Sequence, residues 1–301
     1  MAKTKFYCKL ILLLLVSSIY SYGQGYFSYD YISASKLKDE LGNRYGSGDM
    51  QVWSGGYMIP LSMRNNERGQ MTAWSANINI AYALLDNKGD AKSLNPDNML
   101  NGSISLMNIR PIGKRWSMMA VLGGGVYAST SEISTKSILA NGGVVFIYRL
   151  NKNVDLGIGA GVTNSYGVPM AMPMLYFSWK QSGKYNFKID MSSGLKISAS
   201  TQFNKWMRLD LVAIEMDGMS AVMNVDGKSK IHSTVMMKSY ISPSFTINEH
   251  MAFYMGIGGN WVRGISITDR SLKGFFNSFK ESNDPYYGVA LRLSAGVRYK
   301  F

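Results

Sequence analysis

Long stretches of this chain alternate between apolar residues and polar or small residues. The period of two is clear in Met71–Leu84 and recurs in Val154–Val162, Leu195–Phe203, Met251–Trp261 and Pro285–Phe301. Successive side chains of a β-strand point to opposite faces, so the pattern predicts strands with one apolar and one polar face. The final run exceeds the about 5–6 residues of a typical strand in a soluble sheet. It is long enough for a tilted strand to cross a bilayer, which takes about 9–11 residues.

The connections between these runs also alternate in length. Short turns at one end and longer loops at the other are typical of transmembrane β-barrels. The sequence therefore predicts an all-β fold, a transmembrane antiparallel up-and-down β-barrel of about 14 strands, beginning with Tyr26–Ile32. Tight polar turns are expected at Asn65–Arg68, Gly113–Arg115, Asn151–Asn153, Ser182–Lys184, Asn204–Lys205 and Asn248–His250. Longer loops are expected at Lys36–Gly48, Asp86–Asn98, Ser129–Gly142, Asp217–Lys230 and Ser266–Asp284.

One pair of strands leaves the count open. Within Tyr185–Phe203, the sequence Ser192-Ser193-Gly194 separates two segments that are both short for strands. Merging or losing that pair reduces the count to 12, which remains the alternative.

The first 23 residues have the features of a secretory signal peptide. Three lysines precede an apolar core at Leu10–Val16, and Ser21 and Gly23 supply small residues at the cleavage site. The core is too short for a spanning helix, which needs about 20 residues. We therefore expect residues 1–23 to be the signal peptide and residues 24–301 to form the barrel. The single cysteine, Cys8, lies in the signal peptide, so the mature chain has no disulfide or thiolate metal site.

The C-terminal strand carries a recognisable motif. Ser294, Gly296, Tyr299 and Phe301 have the spacing of the C-terminal assembly signal of Gram-negative outer-membrane β-barrels, which this chain resembles. Its Tyr- and Gly-rich style is similar to that of uncharacterised Bacteroidetes-type barrels. The resemblance implies an integral outer-membrane location, contact with outer-membrane lipid and lipopolysaccharide, and recognition by the barrel assembly machinery. The alternative is a C-terminal edge strand of a soluble secreted β-protein.

The charge of the chain does not indicate a nucleic-acid partner. The net charge is +13, and removal of the three signal-peptide lysines leaves +10. Charged residues make up only 17% of the chain, and the basic ones are scattered rather than clustered. We expect no nucleic-acid binding, and the sequence leaves the oligomeric state open.

Three tryptophans lie beside predicted tight turns. Trp116 follows one turn, Trp179 precedes another and Trp206 follows a third. Tryptophan favours the membrane interface because one end of its side chain is apolar and the other is polar. The three residues are therefore predicted to form an aromatic girdle at one interface.

Charged residues fall on the polar face of several predicted strands. Positive residues outnumber negative ones by seven to three, which would give a water-filled pore a weak preference for anions. The alternative is that the charges pair across the lumen and brace it, since side chains can fill a small barrel. The residues are Arg149, Asp155, Lys188, Asp190, Lys196, Arg208, Asp210, Arg292, Arg298 and Lys300.

The candidate chemistry is sparse. Outer-membrane lipases and deacylases carry a His/Ser pair two residues apart, but here Ser233 directly follows His232 and so faces away from it. We therefore expect His232 to be a rim residue facing water. Gly123–Gly125 and Gly157–Gly161 lack the following helix of a dinucleotide loop. The sequence predicts no catalytic residue, no metal site and no cofactor.

These features lead to three hypotheses of function. The first is a non-enzymatic barrel that acts as a passive pore or channel for small solutes or apolar molecules. The second is a structural or surface-interaction barrel with a filled lumen. The third is an outer-leaflet lipid hydrolase or deacylase that uses His232.

Overall fold

The computed structural model describes residues 23–66, 70–163, 170–191, 194–225, 227–271, 273 and 284–300. Within these residues the chain forms fourteen strands. They are β1 (Gln24–Lys38), β2 (Arg44–Asn65), β3 (Met71–Lys88), β4 (Asn98–Pro111), β5 (Trp116–Ala128), β6 (Ile138–Arg149), β7 (Val154–Thr163), β8 (Met170–Gln181), β9 (Tyr185–Asp190), β10 (Lys196–Gln202), β11 (Met207–Val225), β12 (Lys228–Thr246), β13 (Met251–Asp269) and β14, which has two segments, Tyr286–Tyr287 and Ala290–Lys300.

The sheet closes into a barrel. Each strand pairs antiparallel with the next, and β14 pairs with both β13 and β1. In the closing pair, Tyr26 lies opposite Arg298 and Asp30 lies opposite Ser294. Closure removes the unpaired edges that an open sheet would expose. The predicted all-β up-and-down barrel is confirmed, with 14 strands rather than 12, because β9 and β10 form as separate strands.

The tight connections that the structure describes lie at one end of the barrel together with Gln24 and Lys300, and we call this the turn end. Three of the turns use the same asparagine device. The side-chain oxygens of Asn151, Asn204 and Asn248 each accept hydrogen bonds from two backbone N–H groups two and three residues ahead. Asparagine is favoured at such turns for this reason. The predicted turn at Asn65–Arg68 lies partly outside the described residues.

The connections at the opposite end, the loop end, are shorter than the sequence predicts. The predicted loop Lys36–Gly48 is wrong in extent, because only residues 39–43 separate β1 from β2. The Asp39 carboxylate holds this turn by accepting hydrogen bonds from Asn43, which keep its pKa below the usual value. The predicted loop Asp217–Lys230 is also wrong, because β11 and β12 continue to Val225 and from Lys228. Small and polar residues in these stretches pair as strand, which local composition does not reveal.

The outer surface of the barrel is apolar and the inner surface is mixed. Large apolar side chains such as Leu122, Ile158 and Leu175 are 64–69% exposed. Their neighbours in sequence point inward, as the alternation of a strand requires. A broad apolar band around the outside is the feature of barrels that sit in a bilayer. None of the described helices is long and apolar enough to cross a membrane.

The glycine-rich stretches lie inside strands, with Gly123–Gly125 in β5 and Gly157–Gly161 in β7. The glycines make close packing possible. A Cβ on Gly161 would lie 2.9 Å from the Met174 sulfur, and a Cβ on Gly159 would lie 2.0 Å from the Val144 carbonyl oxygen. Backbone cannot move aside as a flexible side chain can, so position 159 has no room for a side chain.

We therefore expect Gly159→Ala to destabilise the barrel. Overpacking typically costs about 1–3 kcal/mol, and here the obstacle is a backbone atom. The matched control is Gly102→Ala, because a Cβ on Gly102, also within a strand, would meet nothing within 4 Å. Urea unfolding of the refolded proteins in detergent measures both variants, and equal midpoints would contradict the packing argument.

Candidate functional site

A polar cavity of about 800 Å³ occupies the lumen at the turn end, and we call it the vestibule. Its wall comes from the inward faces of β1 and β9 to β14, with Ser54 of β2. Seven basic residues and four acidic residues line it, which leaves an excess of three positive charges. The basic residues are Lys188, Lys196, Arg208, Lys238, Arg292, Arg298 and Lys300, and the acidic ones are Asp30, Asp210, Glu215 and Asp217.

Most of these charges are paired. The nitrogen-to-oxygen distance is 3.1 Å for Lys196–Glu215, 2.7 Å for Arg208–Asp210 and 2.5 Å for Lys238–Asp217. Arg292 pairs with Asp30 across the closing strands, and Lys188 lies 2.6 Å from Asp190. Three of these five pairs connect neighbouring strands, whereas Arg208–Asp210 and Lys188–Asp190 each join residues of one strand. Arg298 and Lys300, at the mouth, form no ion pair with a described carboxylate, so they carry unneutralised positive charge.

Tyr240 connects two of the ion pairs. Its hydroxyl donates to Glu215 and accepts from the Lys196 ammonium at 3.1 Å. The guanidinium of Arg292 lies 4.2 Å from the centroid of the Tyr240 ring. At the mouth, Arg298 lies 4.5 Å from the ring centroid of Tyr254. Aromatic rings therefore hold the arginine side chains in place through cation–π contacts.

The predicted lumen residues do not all meet in one place. Lys196, Arg208, Asp210, Arg292 and Arg298 line the vestibule. Arg149 instead forms a 3.2 Å ion pair with Asp155 beside a smaller cavity of about 280 Å³ at the turn end.

Sequence reasoning missed four charged residues of the vestibule: Asp30, Glu215, Asp217 and Lys238. Asp30 lies in the predicted first strand, Tyr26–Ile32, so the alternation of that strand contains the signal. Asp217 begins the predicted loop Asp217–Lys230, for which alternation gives no side-chain direction.

Above the vestibule, towards the loop end, the lumen is filled by apolar side chains that we call the seal. On three strands, one inward-facing residue is charged and the next inward-facing residue towards the loop end is apolar. On β1 Asp30 is followed by Ile32, on β11 Asp217 is followed by Met219, and on β12 Lys238 is preceded by Met236. The seal consists of Ile32, Met50, Val52, Ala83, Leu85, Met99, Met219, Ala221, Met236 and Ala290, all of them buried.

The seal depends on a hairpin that crosses the lumen. Towards the loop end, the pairing of β10 with β11 stops at Lys196 and Glu215. β11 continues beyond this point, from Met216 to Val225, without β10 beside it. This part of β11 reaches β4 and β5 instead. Asn101 donates to the Ser220 carbonyl oxygen at 2.5 Å and accepts from the Ser220 N–H at 3.2 Å. We call residues 216–225 and 228–237 the crossing hairpin.

The tip of the crossing hairpin is also held. Val222 forms a parallel bridge with Ala128 of β5, and the Asn224 N–H donates to the Glu132 carboxylate at 2.9 Å. Val222 and Ile231 pack against Leu139 of β6. The hairpin therefore lies inside the barrel mouth, with one face on the seal and the other on β5 and β6. In this conformation the described residues close the vestibule at its loop-end side.

His232 lies within this hairpin and is fully buried, at 0% exposure. The expectation of a rim histidine facing water is wrong, because the hairpin folds inward. Its Nε2 lies 3.2 Å from the side-chain oxygen of Asn95, and Ser233 pairs with Ser220 on the opposite face. Glu215 and Asp217 pair with lysines. Among the described residues, no carboxylate orients His232 as a catalytic base would require.

The predicted girdle residues lie near the turn end. Trp116 and Trp206 are exposed, and their rings lie beside Tyr148 and Phe245, at 5.0 and 6.2 Å between centroids. Trp179 shares the face of Leu175, which points away from the lumen. Their role as an interface girdle stays a prediction.

The residues of the C-terminal motif occupy both faces of β14. Ser294 and Gly296 face the lumen, where a Cβ on Gly296 would meet the carbonyl oxygen of Phe27. Tyr299 faces the other side, with its ring centroid 6.2 Å from that of His250. Phe301 and the predicted signal peptide, apart from Gly23, lie outside the described residues. The recognition role of the motif stays a prediction.

In the part of the chain that the structure describes, no three His, Cys, Asp or Glu side chains are grouped to hold a metal ion. The site therefore consists of a charged vestibule, an apolar seal and the hairpin between the seal and β5–β6. Its described groups can attract ions and hold them in place by charge.

Solved outer-membrane proteins match this chain only remotely. An outer membrane channel from Pseudomonas putida F1 matches with a TM-score of 0.46 and 7% identity, over 93% of this chain and 96% of that one. The translocator domain of the autotransporter NalP from Neisseria meningitidis matches with a TM-score of 0.36 and 11% identity, over 100% and 96%. The outer membrane protease OmpT from Escherichia coli matches with a TM-score of 0.26 and 7% identity, over 93% and 96%. These likenesses are too remote to bring an activity to this chain.

No curated protein matches the sequence. One family model matches residues 19–300, almost the whole chain. The chain therefore belongs to the family described as Domain of unknown function (DUF6268).

Proposed function

We propose that the protein is a non-enzymatic outer-membrane channel for small solutes, held closed in this conformation by the crossing hairpin and the seal. The observation that carries the proposal is the 800 Å³ charged vestibule inside a closed barrel whose outer surface is apolar. A lumen that served only as packing would have no need of eleven charged side chains around a cavity. The turn end then faces the periplasm and the loop end faces the exterior.

The charge of the vestibule supports a preference for anions. Five of its basic residues have carboxylate partners, whereas Arg298 and Lys300 at the mouth pair with no carboxylate among the described residues. A positive excess near a narrow entrance raises the local concentration of anions. The proposed solutes are therefore small anions or neutral molecules that tolerate a positive entrance.

The crossing hairpin is the element whose movement would open the lumen. Its β11 arm is attached to the opposite wall by two hydrogen bonds to Asn101, the bond from Asn224 to Glu132, the bridge at Ala128 and a small apolar cluster. Its β12 arm stays paired with β13, so the hairpin would move by bending together with β13. A hydrogen bond contributes about 0.5–1.5 kcal/mol net. Elements held by few contacts open at lower free energy than the whole fold. Displacing the hairpin would remove Met219, Ala221 and Met236 from the seal.

A filled-lumen barrel that acts through its outer surface is the second candidate. The observation that favours it is the seal itself, which is as apolar and buried as a small protein core. Such a barrel would contact lipopolysaccharide or a partner through its loops. The hydrolase hypothesis has less support, because His232 is buried and no carboxylate in the described part of the chain orients it.

Conductance in a planar bilayer tests the channel against the filled barrel. We expect the refolded wild-type protein to open rarely and Asn101→Ala to open several-fold more often, because it loses both hydrogen bonds to Ser220. The matched control is Asn108→Ala, on the same strand, whose side chain bonds the Ala73 carbonyl oxygen and not the hairpin. Stable insertion without current steps in any of the three proteins would favour the filled barrel.

Ion selectivity tests the role of the unpaired mouth charges. The double variant Arg298→Gln/Lys300→Gln lowers the excess of positive charge in the vestibule from three to one. We expect its reversal potential in a salt gradient to shift towards cations, with the hairpin contacts unchanged. Arg110→Gln is the control, because Arg110 is exposed and lies on the outer face of β4. An equal shift in both proteins would mean that the vestibule does not select ions.

A further inference from the structure

The tight turn between β4 and β5 carries three exposed cations. Arg110 lies near the end of β4, and Lys114 and Arg115 lie in the turn itself. None of the three forms an ion pair with a carboxylate in the described part of the chain. Lys114 and Arg115 also border the smaller cavity at the turn end, so they lie on the rim between the lumen and the outer surface.

Hydrogen bonds hold this turn and one of its cations in place. The Gln70 side-chain nitrogen donates to the carbonyl oxygens of Gly113 and Lys114, at 3.0 and 3.3 Å. The Arg115 Nη1 donates to the Tyr148 hydroxyl at 3.3 Å. A guanidinium has five N–H donors, so this bond leaves Arg115 with donors for a further acceptor.

Arg115 lies at the polar end of an aromatic pair on the outer surface. The ring centroids of Tyr148 and Trp116 are 5.0 Å apart. Trp116 shares its strand face with the exposed Leu122, and Tyr148 shares its strand face with the exposed Phe146. A cation therefore borders directly on the apolar outer surface, at the level where the headgroup of a membrane lipid would lie.

The two ends of the barrel differ in charge. The described residues of the tight turns include five exposed basic residues and one exposed acidic residue. At the loop end, the connections 39–43, 89–97 and 129–137 together carry five acidic residues and two lysines. Attraction for anions at the membrane surface is therefore a property of the turn end. The charged turn residues are Lys114, Arg115, Lys152, Lys184, Lys205 and Glu249.

We propose that the β4–β5 turn binds the phosphate of an anionic phospholipid in the leaflet at the turn end. The guanidinium of Arg115 suits a phosphate, and Arg110 and Lys114 add positive charge beside it. The acyl chains of the lipid then lie against the apolar face that carries Trp116. A zwitterionic phospholipid has its own ammonium group, so the three cations attract it less. The inference goes beyond the proposed channel, because it depends on the barrel lying in a membrane and not on conduction.

Quenching of tryptophan fluorescence by brominated lipids tests the site on the wild-type protein. The refolded mature protein is placed in phosphatidylcholine vesicles with a small fraction of brominated lipid, either phosphatidylglycerol or phosphatidylcholine. We expect excess quenching by the brominated phosphatidylglycerol, with a several-fold higher relative binding constant. The excess should shrink in concentrated salt, which screens exposed charges. Equal quenching by the two lipids at low salt would overturn the proposal.

Two conservative variants locate the bound lipid. Trp116→Phe removes the tryptophan beside Arg115, so most of the excess quenching should disappear. Trp261→Phe is the matched control, because Trp261 is also exposed but lies further from the turn end. An excess that is undiminished in Trp116→Phe would place the anionic lipid elsewhere and contradict the site.

The double variant Lys114→Gln/Arg115→Gln tests the need for charge at the turn. We expect it to lose most of the excess quenching, whereas Lys88→Gln/Lys92→Gln, which removes the same charge at the loop end, should keep it. Equal loss in both variants would mean that net charge alone attracts the lipid, which contradicts a local site. Soluble glycerol phosphate should reverse the quenching no more than sodium chloride does at equal ionic strength. A larger reversal would assign the turn to a free anion instead of a lipid.

Discussion

The hydrogen bonding of the free edge of β11 is the constraint on which the inside of this barrel depends. β10 has seven residues and β11 has nineteen, so the loop-end part of β11 has lost its neighbour. Unpaired N–H and C=O groups are very costly in an apolar environment. The strand meets this constraint by turning inward, where Asn101 satisfies both backbone groups of Ser220.

The two zones of the lumen follow from that turn. The inward hairpin carries Met219, Ala221 and Met236 to the residues of β1 to β4, and this contact forms the seal. Below it none of the fourteen described strands crosses the lumen, so the charged residues line a cavity. Three of their ion pairs connect neighbouring strands and two lie within a strand, and a partly exposed pair contributes little to stability on its own. Their main effect is to fix the positions of the side chains that a solute would meet.

Local alternation made much of this structure predictable. The period of two in Met71–Leu84 and in the C-terminal run identifies strands, and the same alternation puts Lys196, Arg208 and Arg292 on the polar face, along which the structure has the vestibule. Strand count and turns follow from the same local signal. The hairpin could not be predicted in this way, because its path is set by the length difference between β10 and β11 and by contacts with Asn101, far away in sequence. The burial of His232 follows from that path.

Odd or even position in a strand no longer predicts which face a side chain occupies once the strand contains a bulge. On β11 the inward residues are Asp210 and Val212 and then Glu215 and Asp217, because Ala213 is an extra residue relative to both neighbouring strands. A similar extra residue follows Asn260 on β13. Counting from either strand end therefore assigns the wrong face beyond the bulge. Because of these extra residues, alternation in the sequence does not show that Glu215 lines the vestibule or that Arg263 points into the barrel.

The two bulges explain why the wall bends where it does. The bulge of β11 and the bulge of β13 both lie beside Lys238 of β12, which pairs with Glu215 on one side and with Asn260 on the other. Bulges bend a strand and increase its twist, so extra residues in both neighbours bend the three strands at one level. Lys238 lies at that level, bound to Asp217, and the next inward residue, Met236, already belongs to the seal. The border between vestibule and seal is therefore set by backbone geometry, and the change from charged to apolar side chains follows it.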